Sequence, residues 1–219
     1  MEYIVKIVSI ENLTHDVKKF VLEKPEGYLF EPGQATMVSL NKINWKEEKR
    51  TFTFTSLKND DYLEFIIKIY SDHHGVTNEL NTLSKSDELI INEPWGALNY
   101  KGEGYFIAGG AGITPFIAIF RDLYHAKELK GNILFFSNKT VQDIILQNEL
   151  TKMLGDDFIN IITDEESENY INTFIDIDFL KNHINDFSKK FYICGPPKMT
   201  EDINNALKDL GANHDALVF

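Results

Sequence analysis

The chain has 219 residues, 43% apolar and 26% charged, the composition of an ordinary soluble globular protein of one or two domains. Its formal net charge of -12 repels phosphate backbones and anionic headgroups, which argues against nucleic acid and membrane as partners. The single cysteine, Cys194, excludes an intramolecular disulfide and any four-thiolate metal or iron–sulfur site in this chain.

Met1–Lys6 carries no basic start or long apolar stretch, so it reads as a strand rather than a secretory signal. No apolar run reaches the roughly 18 residues of a membrane-spanning helix, and a cytoplasmic location is expected. Up to about Tyr100, short β-branched and aromatic stretches alternate with turn signals. Strands are predicted over Tyr3–Ile10, Val17–Glu23, Gln34–Leu40, Arg50–Ser56 and Tyr62–Tyr70, with turns at Lys24–Gly27 and Glu31–Gly33. A short helix is predicted over Val76–Thr82. Regular spacing of this kind predicts an antiparallel barrel or sandwich.

From Gly102 the rhythm changes. Strand Tyr105–Ala108 leads through a glycine cluster into a helix over Pro115–Leu123. Strand Asn132–Phe136, helix Val141–Met153, strand Phe158–Thr163, helix Ile177–Asn182, strand Lys190–Cys194 and helix Lys198–Leu210 follow. Apolar strands alternating with helices predict a doubly wound parallel sheet, whose ligands sit at the carboxyl ends of the strands. Lys, Gly and Glu concentrate near Asn99–Gly104, which places the division at 1–100 and 101–219.

Three stretches carry candidate chemistry. Gly109-Gly110-Ala111-Gly112-Ile113-Thr114-Pro115 follows a strand and opens a helix, where glycines admit a pyrophosphate and helix N–H groups receive it. Its spacing is not G-x-G-x-x-G, and taken alone it is equally a tight turn. Cys194-Gly195-Pro196-Pro197-Lys198-Met199 occupies the equivalent strand-to-helix position and reads equally as a rigid turn. Arg50-Thr51-Phe52-Thr53-Phe54-Thr55-Ser56 places Arg50, Phe52, Phe54 and Ser56 on one face and the threonines on the other. An arginine, an aromatic ring and a hydroxyl on one strand suit phosphate, a planar ring and a ring nitrogen, although the run is also simply a good strand.

Arg50-x-Phe52-Thr53, Gly75-Val76-Thr77, the Gly109–Pro115 loop and the Cys194–Met199 loop occur in the order and spacing of the ferredoxin–NADP reductase superfamily. The Phe30–Gln34 turn and Pro94-Trp95-Gly96 add to the likeness, and the chain resembles that family over essentially its whole length. The resemblance implies an antiparallel six-stranded FAD-binding β-barrel followed by a doubly wound NAD(P)-binding domain. It implies hydride transfer from NADH or NADPH to FAD, and then electron transfer to an external acceptor. Arg50 is implied at the FAD pyrophosphate, Phe52 against the isoalloxazine in place of the usual tyrosine, and Thr53 at flavin N5. Lys68, Ile69 and Tyr70 match a second flavin-contacting stretch, and Gly75, Val76 and Thr77 open a helix at the pyrophosphate. Thr114 and Cys194 are implied at the nicotinamide pocket, with Gly110, Gly112, Gly195 and Pro196 beside the cofactor's backbone. Phe219 is either a flavin cover or the cap of an edge strand over Ala216–Phe219.

The position that selects a 2′-phosphate reads Phe136-Ser137-Asn138-Lys139. Ser137 and Lys139 suit a phosphate, yet no arginine is present and Asp164-Glu165-Glu166 follow, so NADH is favoured over NADPH. Hydride transfer needs positioning rather than an acid–base pair. His15, His73, His74, His125, His183 and His214 are therefore read as exposed or structural. The acceptor is a ferredoxin, a flavodoxin, a haem protein, an oxygenase component or a small molecule. The net charge disfavours acidic partners unless Lys46, Lys49 and Arg50, or Lys189 and Lys190, form a basic patch. A subunit active only inside a larger redox complex is the alternative.

Overall fold

The computed structural model describes residues 1–96, 98–213 and 217–218. The N-terminal half is a sheet of six antiparallel strands: β1 (Glu2–Asn12), β2 (Val17–Glu23), β3 (Ala35–Leu40), β4 (Arg50–Thr53), β5 (Tyr62–Lys68) and β6 (Glu88–Asn92). Their order is β4-β3-β6-β1-β2-β5, and an antiparallel bridge between Phe54 and Phe65 joins the two edges into a nearly closed barrel. Strand β6 is absent from the strands that alternation picked out. Its Leu89-Ile90-Ile91 is a short run without period, which strand and helix share.

Inward-pointing residues of alternate strand positions fill the barrel: Phe20 and Leu22 on β2, Val38 and Leu40 on β3, and Leu63, Phe65 and Ile67 on β5. Phe54 lies at their centre, stacked on Phe30 with ring centroids 4.3 Å apart. Strand β5 is buried on both faces, because Ile66 and, on β2, Val17 point outward into the core of the second half. That shared core joins the two halves. The helix α1 (Val76–Leu80) closes one end of the barrel with Val76 and Leu80 buried.

The second half is a parallel sheet of β7 (Gly104–Gly109), β8 (Ile133–Asn138), β9 (Phe158–Ile162), β10 (Ile171–Asn172), β11 (Lys190–Cys194) and β12 (Leu217–Val218). The order is β10-β9-β8-β7-β11-β12. Helices α2 (Thr114–Ala126) and α3 (Gln147–Leu154) pack on one face against Phe106, Leu134 and Phe136. Helices α4 (Ile177–His183) and α5 (Pro197–Asp209) cover Tyr105, Phe135 and Phe191 on the other. The connection between halves is held by the Tyr192 hydroxyl, which accepts from the Lys101 N–H and donates to the Gly102 carbonyl, both at 2.7 Å.

One predicted helix is corrected. Val141–Met153 divides into a short 3-10 turn over Val141–Asp143 and α3 from Gln147. Asp143 caps the first piece by accepting from the N–H and hydroxyl of Thr140, and Leu146 takes a left-handed φ of 53° that breaks the helical path. Ile144 and Ile145 then enter the core from the break. At the C-terminus, Leu217 and Val218 pair in parallel with Phe191 and Tyr192, as the edge-strand alternative expects. Phe219 and His214 lie outside the described residues.

Candidate functional site

The sheet is laid down outward from β7 through β8, β9 and β10, then crosses back to β11 on the other side of β7. The direction of winding therefore reverses between β7 and β11, and the loops leaving their carboxyl ends diverge to opposite faces and open a crevice. Those loops are Gly109–Ile113 and Cys194–Pro196, the two glycine stretches picked out from sequence. They sit side by side because Ala108 pairs with Cys194.

The glycines do different work. A Cβ at Gly112 would overlap the Cys194 carbonyl, so glycine is required there for one loop to pack on the other. Gly110 has a φ of +51° and open space where a side chain would stand. It is therefore at Gly110, heading the helical turn that runs into α2, that the backbone is accessible to an anion.

A cleft of about 1220 Å³ extends from these loops to the barrel. Of the residues singled out from sequence, Gly110, Gly112, Ser137, Lys139, Gly195 and Pro196 line it from the α/β half, and Lys68 and Tyr70 from the barrel. Arg50, Phe52, Thr53, Ile69, Gly75, Val76, Thr77, Thr114 and Cys194 do not. The cleft is thus a site of the α/β half that reaches the barrel only at Val17, Lys68 and Tyr70.

Several of these residues have side chains engaged elsewhere, in keeping with contacts expected through their backbone at Lys68–Tyr70 and Gly75–Thr77. Val76 is buried in the barrel core, so only its backbone faces a ligand. Ile69 is buried likewise, and its N–H already donates to the Asp16 carbonyl at 2.7 Å. The Lys68 ammonium is held by Asp16 at 2.7 Å. The Thr114 hydroxyl donates to the Ala111 carbonyl at 3.0 Å, stitching the first helical turn. Burial pushes the Cys194 thiol pKa up, which keeps it neutral and unsuited to nucleophilic chemistry.

The barrel stretch keeps its donors available. Arg50 is 52% exposed, with Nη1 donating to the Lys49 carbonyl at 2.8 Å and Glu48 3.9 Å away. Phe52 is half-buried against Phe65 with centroids 6.4 Å apart, and the Thr53 hydroxyl makes no side-chain hydrogen bond among the described residues. A guanidinium, a partly exposed ring and a free hydroxyl at alternating and adjacent positions of one strand fit a phosphate-bearing planar cofactor. In the cleft, Ser137 and Lys139 likewise have no side-chain partner among the described residues, which fits a nucleotide. The basic patch expected at Lys46–Arg50 is partly neutralised, since Lys49 pairs with Glu2 at 2.6 Å.

Sequence reasoning missed Asp143, Thr163, Phe174, Asp176 and Asp202, all of which line the cleft. Thr163 follows the carboxyl end of β9 and was accessible to the strand-end rule. Phe174, 67% exposed between β10 and α4, carries no signal in its local sequence.

Comparison with known proteins agrees with this geometry. The Oxidoreductase FAD-binding domain family matches residues 4–100, and the Oxidoreductase NAD-binding domain family matches residues 106–205. NADH-cytochrome b5 reductase 1 of Mortierella alpina is 31% identical over 88% of this chain and 69% of its own length. NADH-cytochrome b5 reductase 2 of Mycosarcoma maydis is 27% identical over 90% of this chain, and the chain spans 62% of that relative. A ferredoxin NADP+ reductase from Neisseria gonorrhoeae with bound FAD and NADP has the same fold, with a TM-score of 0.85, 21% identity, and 97% of this chain and 93% of that one covered.

Proposed function

The chain belongs to the ferredoxin–NADP reductase superfamily of FAD- and NAD(P)H-dependent flavoprotein oxidoreductases, and on that premise we propose that it is an NADH-preferring reductase serving a one-electron haem-protein acceptor of cytochrome b5 type. The observation that carries the reading is the single cleft shared by the Gly110 loop, the Gly195 loop and the Lys68–Tyr70 edge of the barrel. FAD, when bound, supplies the hydride acceptor and the means of releasing electrons one at a time.

This chain's residues bind and orient. The head of the helical turn at Gly110 receives the dinucleotide pyrophosphate through backbone N–H groups. Ser137 and Lys139 hold the adenosine end where β8 stops. Arg50 grips the FAD pyrophosphate, Phe52 lies against the isoalloxazine, and Thr53 donates its hydroxyl at the hydride-accepting edge. The Cys194 thiol, kept neutral by burial, packs against the core beside the Gly195 loop and serves there as packing rather than as a proton donor or acceptor.

Asp143, Asp176, Asp202 and Asp209 line the cleft, while Lys198 is paired with Asp202 at 2.6 Å. Lys139 shares the cleft with that acidic set, which disfavours a further phosphate dianion and supports NADH over NADPH. The cytochrome b5 reductase relatives support the haem-protein acceptor, and we place the reaction in the cytoplasm. Titration of the purified yellow protein tests the reading. NADH is expected to bleach the flavin bands several-fold faster than NADPH and to support reduction of a cytochrome b5. Equal bleaching by NADPH overturns the nucleotide preference, and a colourless protein that binds no FAD overturns the function.

A further inference from the structure

Arg121 lies about two turns below the glycine loop on α2, on the side that meets the barrel. Its Nη1 donates to the Thr55 carbonyl at 2.6 Å and to Glu64 Oε1 at 2.7 Å, both in the barrel. Its Nε and Nη2 donate to the two carboxylate oxygens of Glu149 on α3, at 2.6 and 3.0 Å. Glu64 is itself tied to the same turn of chain, accepting from the Thr55 hydroxyl at 2.8 Å while its N–H donates to Ser56 Oγ at 3.0 Å. One guanidinium thus joins three segments of two domains.

The pair at the centre of this network is largely shielded from water, the Arg121 side chain being 17% exposed and that of Glu64 6%, while Glu149 at the rim is 34% exposed. Burial alone lowers the guanidinium pKa, but the hydrogen bond to Glu149 and the charge of Glu64 outweigh it and raise it. Burying a charged pair such as Arg121 and Glu64 is a poor way to gain stability alone, since an apolar seam of similar volume does as well or better. The seam already has its apolar part in Val17 and Ile66. Apolar contact is non-directional and tolerates sliding. A planar fork bound on both edges fixes distance and angle together.

What it fixes bears on the reaction. Thr55 is two residues beyond Thr53, and α2 begins at Thr114, directly after the glycine loop. We infer that Arg121 is a positioning residue for hydride transfer, holding the flavin-side strand and the nicotinamide-side loop at their working separation. The inference rests on the functional reading above. Hydride transfer needs reacting atoms within roughly 3–3.5 Å, and a displacement of about 1 Å costs on the order of a hundredfold in rate.

The test compares the parent with Arg121→Lys, which keeps the charge and loses the fork, and Glu149→Gln, which weakens one edge at a partly exposed position. Stopped-flow reduction by NADH is followed in FAD-saturated protein, and small-angle scattering is measured on the apo-proteins. In Arg121→Lys the limiting rate is expected to fall roughly ten- to a hundredfold. FAD content and apparent NADH affinity stay within about threefold of the parent, the flavin midpoint potential does not shift, and the apo-protein distance distribution broadens. Glu149→Gln is expected to lose rate in the same direction by a smaller factor, and it decides the matter if Arg121→Lys does not fold. Limiting rates within twofold of the parent, or losses that track lost FAD, overturn the inference. A parent that NADH does not reduce overturns the functional reading instead, and the scattering then judges Arg121: distributions identical to the parent's reject it.

Discussion

The barrel presents its candidate chemistry on side chains: Arg50, Phe52 and Thr53 stand on β4 with their polar groups only lightly engaged, while Phe54 immediately afterwards turns into the core. The α/β half does the opposite. At its two glycine loops the Thr114 hydroxyl is consumed by the Ala111 carbonyl, the Cys194 thiol is half-buried, and what those loops turn to the cleft is mainly glycine and backbone. A strand projects alternate side chains to opposite faces, so Arg50 and Phe52 share one face and Thr53 stands on the other. A helix head binds anions with N–H groups that every residue but proline possesses, so there the choice of residue is dictated by packing.

The comparison breaks most visibly at the glycines. Gly112→Ala drives a Cβ into the Cys194 carbonyl and is expected to destabilise the fold by about 3 kcal/mol, seen as a lowered urea midpoint. Gly110→Ala meets open space and is expected to cost about 1 kcal/mol, for its left-handed φ alone. If the two variants are equally stable, the packing account of Gly112 is wrong.

On the barrel side the effects fall on the cofactor rather than the fold. Arg50→Ala removes a charged hydrogen-bond donor worth about 1.5–3 kcal/mol, so FAD affinity is expected to drop roughly ten- to a hundredfold with the melting of the apo-protein unchanged. Thr53→Ala is expected to retain FAD and slow its reduction by NADH about tenfold. Parental behaviour in both variants would remove β4 from the site.

The smallest effect concerns the connection between the halves. Burial pushes the Tyr192 phenol up to about 12, from an ordinary value of about 10. Folding therefore favours the neutral phenol, so its contribution is intact below pH 10 and is lost as pH rises through about 12. Tyr28, raised to about 12 by burial in the barrel, acts in the same window. Urea midpoints are expected to fall between pH 10 and 12, and less so in Tyr192→Phe, although that variant is weaker at pH 7 by about 1 kcal/mol. A Tyr192→Phe profile parallel to the parent's would exclude Tyr192 as a source.

Much of this architecture could be read before any coordinates. A β-branched and aromatic stretch bounded by turn signals marked β2 over its whole span, Val17–Glu23, and an apolar run marked β11 over Lys190–Cys194. The glycine loops were legible because few other residues permit such turns between a strand and a helix. The break at Leu146 was not, since apolar residues at helical spacing look the same whether or not a cap at Asp143 interrupts them.

The order of barrel and α/β halves, the strand-to-helix loops and the candidate residues on β4 were legible in local sequence, through periods of two and 3.6 and the special freedoms of glycine. Tertiary structure alone decided that Gly112 must accommodate Cys194, that Asp143 and Phe174 reach the cleft, and that Arg121 spans the two halves. The reason is physical: these relations join residues far apart in the chain, and a contact across the fold leaves no pattern in the residues beside it.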